Sequence, residues 1–469
     1  MKFTIRGIAA VAFSMLFVPF GASAQDSSIF WQCPQETANH PAIPNNLGST
    51  DAEDIYVRQA NDDGSRIKCD HLTAGDGITT MADDKEGGLG KRLYIFGFNR
   101  VAAPGETVSS LSHEIVNGVE LPTTAPDIAS GNYPSWVMEQ GTFAANAPAP
   151  TIVMNEDDEY FLNLTNTGMI QRPDLFDPHT VHFHGFPNAS AIFDGLPDAS
   201  IAINMGATLT YYYQPKDAGT YMYHCHVEAT EHMQMGMLGN LFVRPRQDRC
   251  EMLEALPAGD PRHDLPGATC PAGHVAGDKY AFDDGDGSTR YDVEVPIQLG
   301  SFDPDFHDAS FNTQALPFAK MRDRYFLLNG RGYPDTKSTA AVSTVDELGR
   351  TQYSQPVNTV IKATPGQRIL LRISNLNVTD IYTVGVNGLP MIVVGLDARM
   401  LRDDDGNNMS YKANSITIGG GQSADVIIDT TGMASGQTFF FYTKNLDKLA
   451  NDAENLGGMM TEIQIVASL

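Results

Sequence analysis

The stretch from Thr208 to Met237 reads TLTYYYQPKDAGTYMYHCHVEATEHMQMGM and begins with a short β-branched and aromatic run, Thr208 to Tyr213. Similar runs stand at Thr151 to Met154 and at Tyr160 to Leu164. Gly, Pro, Asn and Asp separate these runs, and no long helical pattern lies between them. This pattern is typical of an all-β sandwich.

A second series of strand-like runs follows the first along the chain. Residues 246–290, which are rich in Asp, Gly and Pro, separate the two series. Such composition marks a boundary between domains. We therefore predict five parts: a signal peptide at residues 1–24, a disulfide-tied extension at 25–91, a first β-sandwich domain at 92–245, a linker at 246–290 and a second β-sandwich domain at 291–469.

The amino terminus has the pattern of a cleaved secretory signal. Lys2 and Arg6 precede an apolar run from Ile8 to Phe20, which ends at Ala22-Ser23-Ala24. The run is too short to span a bilayer. We therefore expect a periplasmic or secreted protein.

The net charge excludes some classes of partner. The chain has 57 acidic and 31 basic residues, which gives a formal charge of −26. Such an excess of acid disfavours binding to phosphate backbones and to anionic lipid. Nucleic acid and membranes are therefore not expected partners.

The chain has five cysteines, which can form at most two disulfide bonds and leave one cysteine unpaired. In an oxidising compartment the economical pairing is Cys33 with Cys69 and Cys250 with Cys270. Cys225 then remains unpaired. A free thiol in such a compartment needs burial or a bound metal to protect it from oxidation.

Strand alternation divides the histidines into two groups. In the window Pro178 to Gly185, His182 and His184 share one face, while His179 is directed elsewhere. In the window Tyr223 to His226, His224 and His226 share one face and Cys225 lies on the other.

Each group has a distinct metal chemistry. One offers four imidazoles and suits copper, zinc or iron: His182, His184, His224 and His226. The other combines two imidazoles, a thiolate and a thioether, the donor set of a blue-copper electron-transfer site: His179, Cys225, His232 and Met237. An electron on the thiolate-bound copper could reach the second metal through a few covalent bonds.

The two windows resemble the HxxHxH and HCHxxxH motifs of the multicopper oxidases, and they also resemble the related two-domain copper nitrite reductases. The resemblance includes the segments Ala149 to Ile152, Phe193 to Gly195 and Asp217 to His224. It implies two cupredoxin-like Greek-key β-sandwich domains and copper as the cofactor, with a type 1 site and a type 2/type 3 site.

The resemblance also implies roles for single residues. The type 1 ligands are His179, Cys225, His232 and Met237, the type 2 ligand is His182, and the type 3 ligands are His184, His224 and His226. Asp194 matches the acid that handles protons beside the type 2 copper. It could equally be an ordinary Asp-Gly turn.

The second half departs from the family pattern. A complete trinuclear cluster needs further HxH pairs, but this half reads Asp380-Ile381-Tyr382-Thr383-Val384-Gly385 where a pair would stand. It resembles the copper-free middle domain of three-domain laccases. Three alternatives are open for the four-imidazole group: completion across a subunit interface, a site of one or two coppers that can include His307, or a remnant without metal.

We interpret the chain as an oxidase that takes single electrons from a phenol-like molecule or a metal ion at the type 1 copper, near the solvent edge of His232 or His179. A second copper site then reduces dioxygen. Nitrite reduction and non-enzymatic electron transport are the alternatives. A homo-oligomer, either a dimer or a trimer, is compatible with the sequence.

Overall fold

The computed structural model describes residues 29–40, 57–81, 90–106, 115–116, 119–120, 124–345, 349, 351–452 and 454–469. The predicted signal peptide lies outside them.

The first half of the chain contains eleven described strands and two described α-helices. The strands are β1 (Val57–Ala60), β2 (Arg66–Met81), β3 (Lys91–Arg100), β4 (Ile115–Val116), β5 (Val119–Glu120), β6 (Ala149–Asn155), β7 (Glu159–Gly168), β8 (His182–His184), β9 (Thr208–Tyr213), β10 (Gly219–His224) and β11 (Leu238–Arg244). The helices are α1 (Tyr133–Gly141) and α2 (Ala229–Met235).

These strands form the first β-sandwich. One sheet has the order β1-β2-β7-β9, with β3 also paired to β2, and the other has the order β6-β11-β10-β8. Apolar side chains from both sheets, such as Leu164, Tyr211 and Leu241, meet in a common core. Several strand pairs are not consecutive in sequence, as in the parallel pairing of β2 with β7.

The first sandwich begins earlier than the sequence predicted. Strand β2 lies inside the predicted extension at residues 25–91, but it pairs with β7 from Ile67 to Gly75. Both faces of this strand are buried, so polar and apolar residues do not alternate along it. The sequence pattern therefore does not indicate a strand here. His71, for example, is fully buried between the Tyr133 hydroxyl and the Thr165 hydroxyl.

The connecting segment and the second half contain the remaining described elements. The helices are α3 (Cys250–Glu254) and α4 (Pro304–Phe311). The strands are β12 (Lys279–Tyr280), β13 (Arg290–Tyr291), β14 (Val293–Phe302), β15 (Tyr325–Leu328), β16 (Val342–Val345), β17 (Thr351–Gln355), β18 (Ile361–Ala363), β19 (Arg368–Asn375), β20 (Tyr382–Val386), β21 (Met391–Leu396), β22 (Arg399–Met400), β23 (Tyr411–Ala413), β24 (Ile416–Ile418), β25 (Gln422–Asp429), β26 (Thr438–Thr443) and β27 (Met460–Ile465).

The second half forms another β-sandwich. Its larger sheet has the order β15-β14-β19-β25-β21-β22, with β23 also paired to β21. Its smaller sheet has the order β18-β27-β26-β20-β24. The two sheets enclose a separate apolar core. The structure therefore confirms the predicted all-β class with two sandwiches.

Two disulfide bonds confirm the predicted cysteine pairing. Cys33 is bonded to Cys69 on β2, and Cys250 is bonded to Cys270 in the connecting segment. Cys225 is free and buried.

A buried polar network joins the two sandwiches at strand β10. The Thr220 hydroxyl donates to Asp425 at 2.6 Å, and the Ser423 hydroxyl donates to the backbone oxygen of Thr220 at 2.6 Å. Arg372, which is fully buried, bonds to both Asp425 and Glu294. The strand that leads to His224 is thereby fixed against the second domain.

The helices in the described part of the chain are all too short or too polar to cross a bilayer.

Candidate metal centres

Strand β10 has two chemically different faces. His224 lies directly opposite His182 in the pairing with β8. Tyr223 and Cys225 belong to the buried core of the first sandwich. Thr220, which shares a face with His224, bonds to the second domain. The alternation expected from the sequence thus separates a core face from a face that meets the other domain.

Three potential ligand atoms converge at the core end of the strand. The Cys225 Sγ atom lies 3.2 Å from His232 Nδ1 and 3.8 Å from His179 Nδ1. The backbone N–H of Thr180 donates to the same sulfur at 3.5 Å. All three potential ligand residues are fully buried. We call this set the sulfur site.

The electrostatics of the sulfur site favour a positive charge beside a neutral imidazole. Burial lowers the pKa of His179 well below its usual range. Burial also lowers the pKa of His232, but the Cys225 sulfur and the Asp177 carboxylate outweigh this effect and raise it to about 10. The site therefore stabilises a cation next to the sulfur.

Met237 lies beside these residues, as the sequence predicted. Its backbone oxygen accepts from the Cys225 N–H at 3.1 Å, and its own N–H donates to the His232 oxygen at 2.8 Å. The Met237 side chain is fully buried. The turn after α2 thus places all four predicted ligands of the sulfur site in one region.

The expected solvent edge of His232 or His179 is not present. Both rings have zero exposed surface, because Phe96 packs edge-on against His232 and the core encloses His179. The Asp177 carboxylate lies 3.8 Å from His232 Nε2, and its side chain is 19% exposed. Asp177 is therefore a polar connection between this ring and the surface.

The other four histidines form a second cluster, which we call the imidazole site. The ring of His182 has centroid distances of 5.9 Å to His184, 5.3 Å to His224 and 5.0 Å to His226. Ligand atoms of His182, His184 and His224 lie within 4.8 Å of one another. The sequence grouped these four residues together, and the structure brings them together.

Backbone hydrogen bonds fix the tautomers of two of these rings. His182 Nδ1 donates to the backbone oxygen of Asp194 at 2.6 Å, and His224 Nδ1 donates to the backbone oxygen of Cys225 at 2.8 Å. Because a carbonyl oxygen can only accept, Nε2 of each ring carries the lone pair. Such contacts orient metal-binding imidazoles.

Three rings of the imidazole site are neutral at pH 7. Burial lowers the pKa of His182, of His184 and of His224, the last to about 3. The Asp194 carboxylate lies 3.5 Å from His182 Nδ1 and is 29% exposed. Asp194 therefore stands between this site and solvent, where the sequence prediction placed an acid.

The second domain contributes two residues that the sequence did not indicate. A Cβ built on Gly421 would lie only 2.8 Å from His184 Nε2. Asp397, at the β21–β22 turn, is close enough to His184 for its charge to raise the pKa of that ring, although burial is the larger effect. The run Gly419-Gly420-Gly421 is a sequence pattern that permits a close approach of the backbone to another group. No sequence pattern indicates a role for Asp397.

His307 is not part of the imidazole site. Its Nδ1 contacts the backbone oxygen of Tyr94 at 2.5 Å, and its Nε2 contacts the backbone oxygen of Gln234 at 3.0 Å. Both ring nitrogens are thus occupied by backbone groups, and the ring is fully buried. The expectation that His307 adds a ligand to the four imidazoles is wrong.

The two sites differ in how well they fit the metals that the sequence resemblance implies. The sulfur site has two imidazoles, a thiolate and an adjacent methionine, which fit one blue copper. The four described imidazoles of the other site are too few to give three copper ions several protein ligands each.

Comparisons with known proteins identify the family. Two models described as multicopper oxidase match residues 134–248 and residues 305–461, which together are more than half of the chain. Laccase abr2 of Aspergillus fumigatus is 34% identical over 104 residues, 22% of this chain and 16% of that protein. Multicopper oxidase MCE of Talaromyces pinophilus is 31% identical over 103 residues, 22% of this chain and 16% of that protein.

The matched segments therefore span only about a sixth of the length of these relatives. Solved structures resemble the chain over a longer range. The blue copper oxidase from Nitrosomonas europaea has a TM-score of 0.51 at 20% identity and covers 84% of this chain and 85% of its own. The multicopper oxidase mgLAC has a TM-score of 0.52 at 19% identity, with the same coverage.

The structural likeness confirms the cupredoxin-like fold of the two sandwiches. The family matches confirm the predicted resemblance and copper as the cofactor. The chain belongs to the multicopper oxidase family.

Proposed function

We propose that this protein is an exported copper oxidase, in which single electrons from a reducing substrate enter at the sulfur site and reduce dioxygen at the imidazole site. The observation that carries the proposal is the position of Cys225. Its sulfur belongs to one site, while the adjacent His224 and His226 belong to the other.

We assign each ligand to one of the two sites. His179, Cys225, His232 and Met237 hold the type 1 copper, and His182, His184, His224 and His226 hold the second copper site. Copper bound in these places would supply one-electron redox chemistry at both sites. Support comes from the convergence of the donor atoms of His179, Cys225 and His232 and of His182, His184 and His224.

The protein itself prepares the sulfur site for electron transfer. The Thr180 N–H stabilises negative charge on the Cys225 sulfur by donating to it. Burial excludes water from both imidazoles. A rigid and dry environment reduces the rearrangement that accompanies each change of charge.

The chain offers an approach for the electron donor at Asp177. This partly exposed carboxylate is 3.8 Å from His232 Nε2, so a molecule at the surface can be linked to the buried ring through it. A small phenol-like molecule and a metal ion can each bind to a partly exposed carboxylate. A carboxylate accepts a hydrogen bond from a phenol and attracts a cation.

Reduction of dioxygen also consumes protons. Asp194 is suited to supply them because its carboxylate lies 3.5 Å from His182 Nδ1 and its side chain is partly exposed. We assign it the role of moving protons between solvent and the imidazole site.

Export agrees with the two disulfide bonds, which are typical of an oxidising compartment.

The test begins with Cys225→Ser in the full-length, copper-loaded protein. We expect loss of the intense blue thiolate band and of oxygen uptake with a phenolic or ferrous donor, while circular dichroism keeps the β-sheet signal. A retained blue band would contradict the ligand assignment.

A matched pair of methionine variants tests the fourth ligand. Met237→Leu should change the blue absorption and the reduction potential of the type 1 copper. Met233→Leu, in the same short segment, should change neither. Anaerobic assays with nitrite distinguish the rival reductase, because nitrite consumption without oxygen uptake would refute the oxidase.

A further inference from the structure

The number of metal ions in the imidazole site follows from its surroundings. We infer that this site holds one copper ion per chain, coordinated by His182, His184, His224 and His226, and not the three ions of a trinuclear cluster. The inference rests on the proposed function, since it specifies the second site of the same oxidase.

The spacing of the rings matches a single ion. Imidazoles that share one ion at a metal–nitrogen distance of about 2.0–2.1 Å have ring centroids roughly 4.5–6.5 Å apart. Five of the six ring pairs in the site have centroid distances from 5.0 to 5.9 Å. Four nitrogen donors complete a tetragonal or tetrahedral copper site.

Four of the five described histidines outside the two sites are held by partners elsewhere in the fold. His40 is paired with Glu159, His71 is enclosed by two hydroxyl groups, and His307 contacts two backbone carbonyls. His274 contacts the Tyr280 hydroxyl. Each of these rings has a partner away from the imidazole site.

Backbone of the second domain lies directly against the imidazole site. The Gly421 backbone approaches His184 so closely that even a methyl group there would be 2.8 Å from Nε2. A histidine side chain at this position has no room. The second domain therefore closes the site with backbone instead of supplying an imidazole.

The charge around the site also limits the number of metal ions. The Asp194 carboxylate lies 3.5 Å from His182 Nδ1 and supplies negative charge beside the rings. Three ions would leave most of their charge uncompensated among half-buried rings.

The test is copper quantitation of the full-length chain, combined with double integration of its electron paramagnetic resonance spectrum. We expect two copper ions per chain, both visible, one with the narrow hyperfine splitting of type 1 copper and one with ordinary splitting. His184→Ala and His184→Asn should each leave one copper per chain with an unchanged type 1 signal. His274→Gln, a matched control outside the site, should retain two.

More than two copper ions per chain, or any copper that is invisible to resonance, would overturn the inference, and so would a type 1 signal without a second copper. Native mass spectrometry assigns the count per chain if the protein is an oligomer. Failure of the oxidase proposal looks different, because oxygen uptake would then be absent while the count of two copper ions per chain is unchanged.

Discussion

Gly421→Ala offers a direct measurement of how closely the second domain controls the imidazole site. Gly421 has a φ of +87°, in the left-handed region where a side chain costs about 1–2 kcal/mol. The added methyl carbon would lie 2.8 Å from His184 Nε2 and 3.2 Å from Cε1, so the ring must also move. Gly432→Ala is the matched control, because its φ is +84° and a Cβ there would meet no atom within 4 Å.

Both variants should lose about 1–2 kcal/mol in the free energy of unfolding, because both place a side chain at positive φ. Gly421→Ala alone should weaken copper binding at the imidazole site, by about tenfold or more, as expected when the support of a ligand is disturbed. Urea unfolding measures the first effect, and copper titration followed by electron paramagnetic resonance measures the second. Equal copper affinity in the two variants would refute the close approach of Gly421 to His184.

Three further predictions concern the framework around the sites. Arg372→Met leaves the buried Asp425 without its cation and leaves Glu294 with Arg244 alone, so it should lower the free energy of unfolding by about 3–5 kcal/mol, whereas the exposed Arg399→Met should change it by less than about 1 kcal/mol. Urea denaturation checks both. Burial raises the pKa of Asp248 from 3.8 to about 7, so its stabilising contribution is complete below pH 3.8 and is lost as the pH rises through 7. Asp248→Asn should therefore flatten the fall in stability between about pH 4 and 7, by at most about 1.4 kcal/mol per pH unit, and an unchanged slope would contradict this. His307→Leu removes the single N–H that the neutral buried ring donates to a backbone carbonyl and should cost about 1–3 kcal/mol in the free energy of unfolding; a melting temperature within about one degree of the parent protein would count against it.

The ligand groups could be predicted from the sequence because they depend on local geometry. Alternation along a strand is independent of the rest of the fold, so the separation of Cys225 from His224 and His226 followed from their spacing. The cysteine pairing was similarly constrained, since five cysteines with one in a histidine-rich window left few alternatives. The structure confirms that pairing.

Strand β2 could not be predicted in the same way. Its sequence contains Arg66, Lys68, Asp70 and His71, which suggest a solvent-exposed segment. In the fold these groups find partners in other elements; Asp70, for instance, accepts from Arg100. Burial of polar residues through distant partners leaves no periodic signal in the sequence.

The burial of the metal sites was also misjudged, for the same physical reason. We expected a solvent edge at His232 or His179, but Phe96, which is distant in sequence, packs against the His232 ring. Helix α4 of the second half contacts the same region, since His307 contacts the backbone of Gln234, two residues after His232. Such contacts depend on how two domains dock, which local spacing does not specify.

The docking of the domains explains how a sandwich that supplies no described imidazole can still shape the imidazole site. His224 lies on the outward face of the first sandwich, yet it is only 3% exposed. Thr220, four residues earlier on the same face, is held by Asp425, whose charge is balanced by the buried Arg372. Sliding the second domain away would break the hydrogen bond from Thr220 to the Asp425 carboxylate, and a bond to a charged group contributes about 1.5–3 kcal/mol. The same contact that fixes strand β10 therefore keeps Gly421 against His184, so the cover over the rings is as rigid as the domain interface itself.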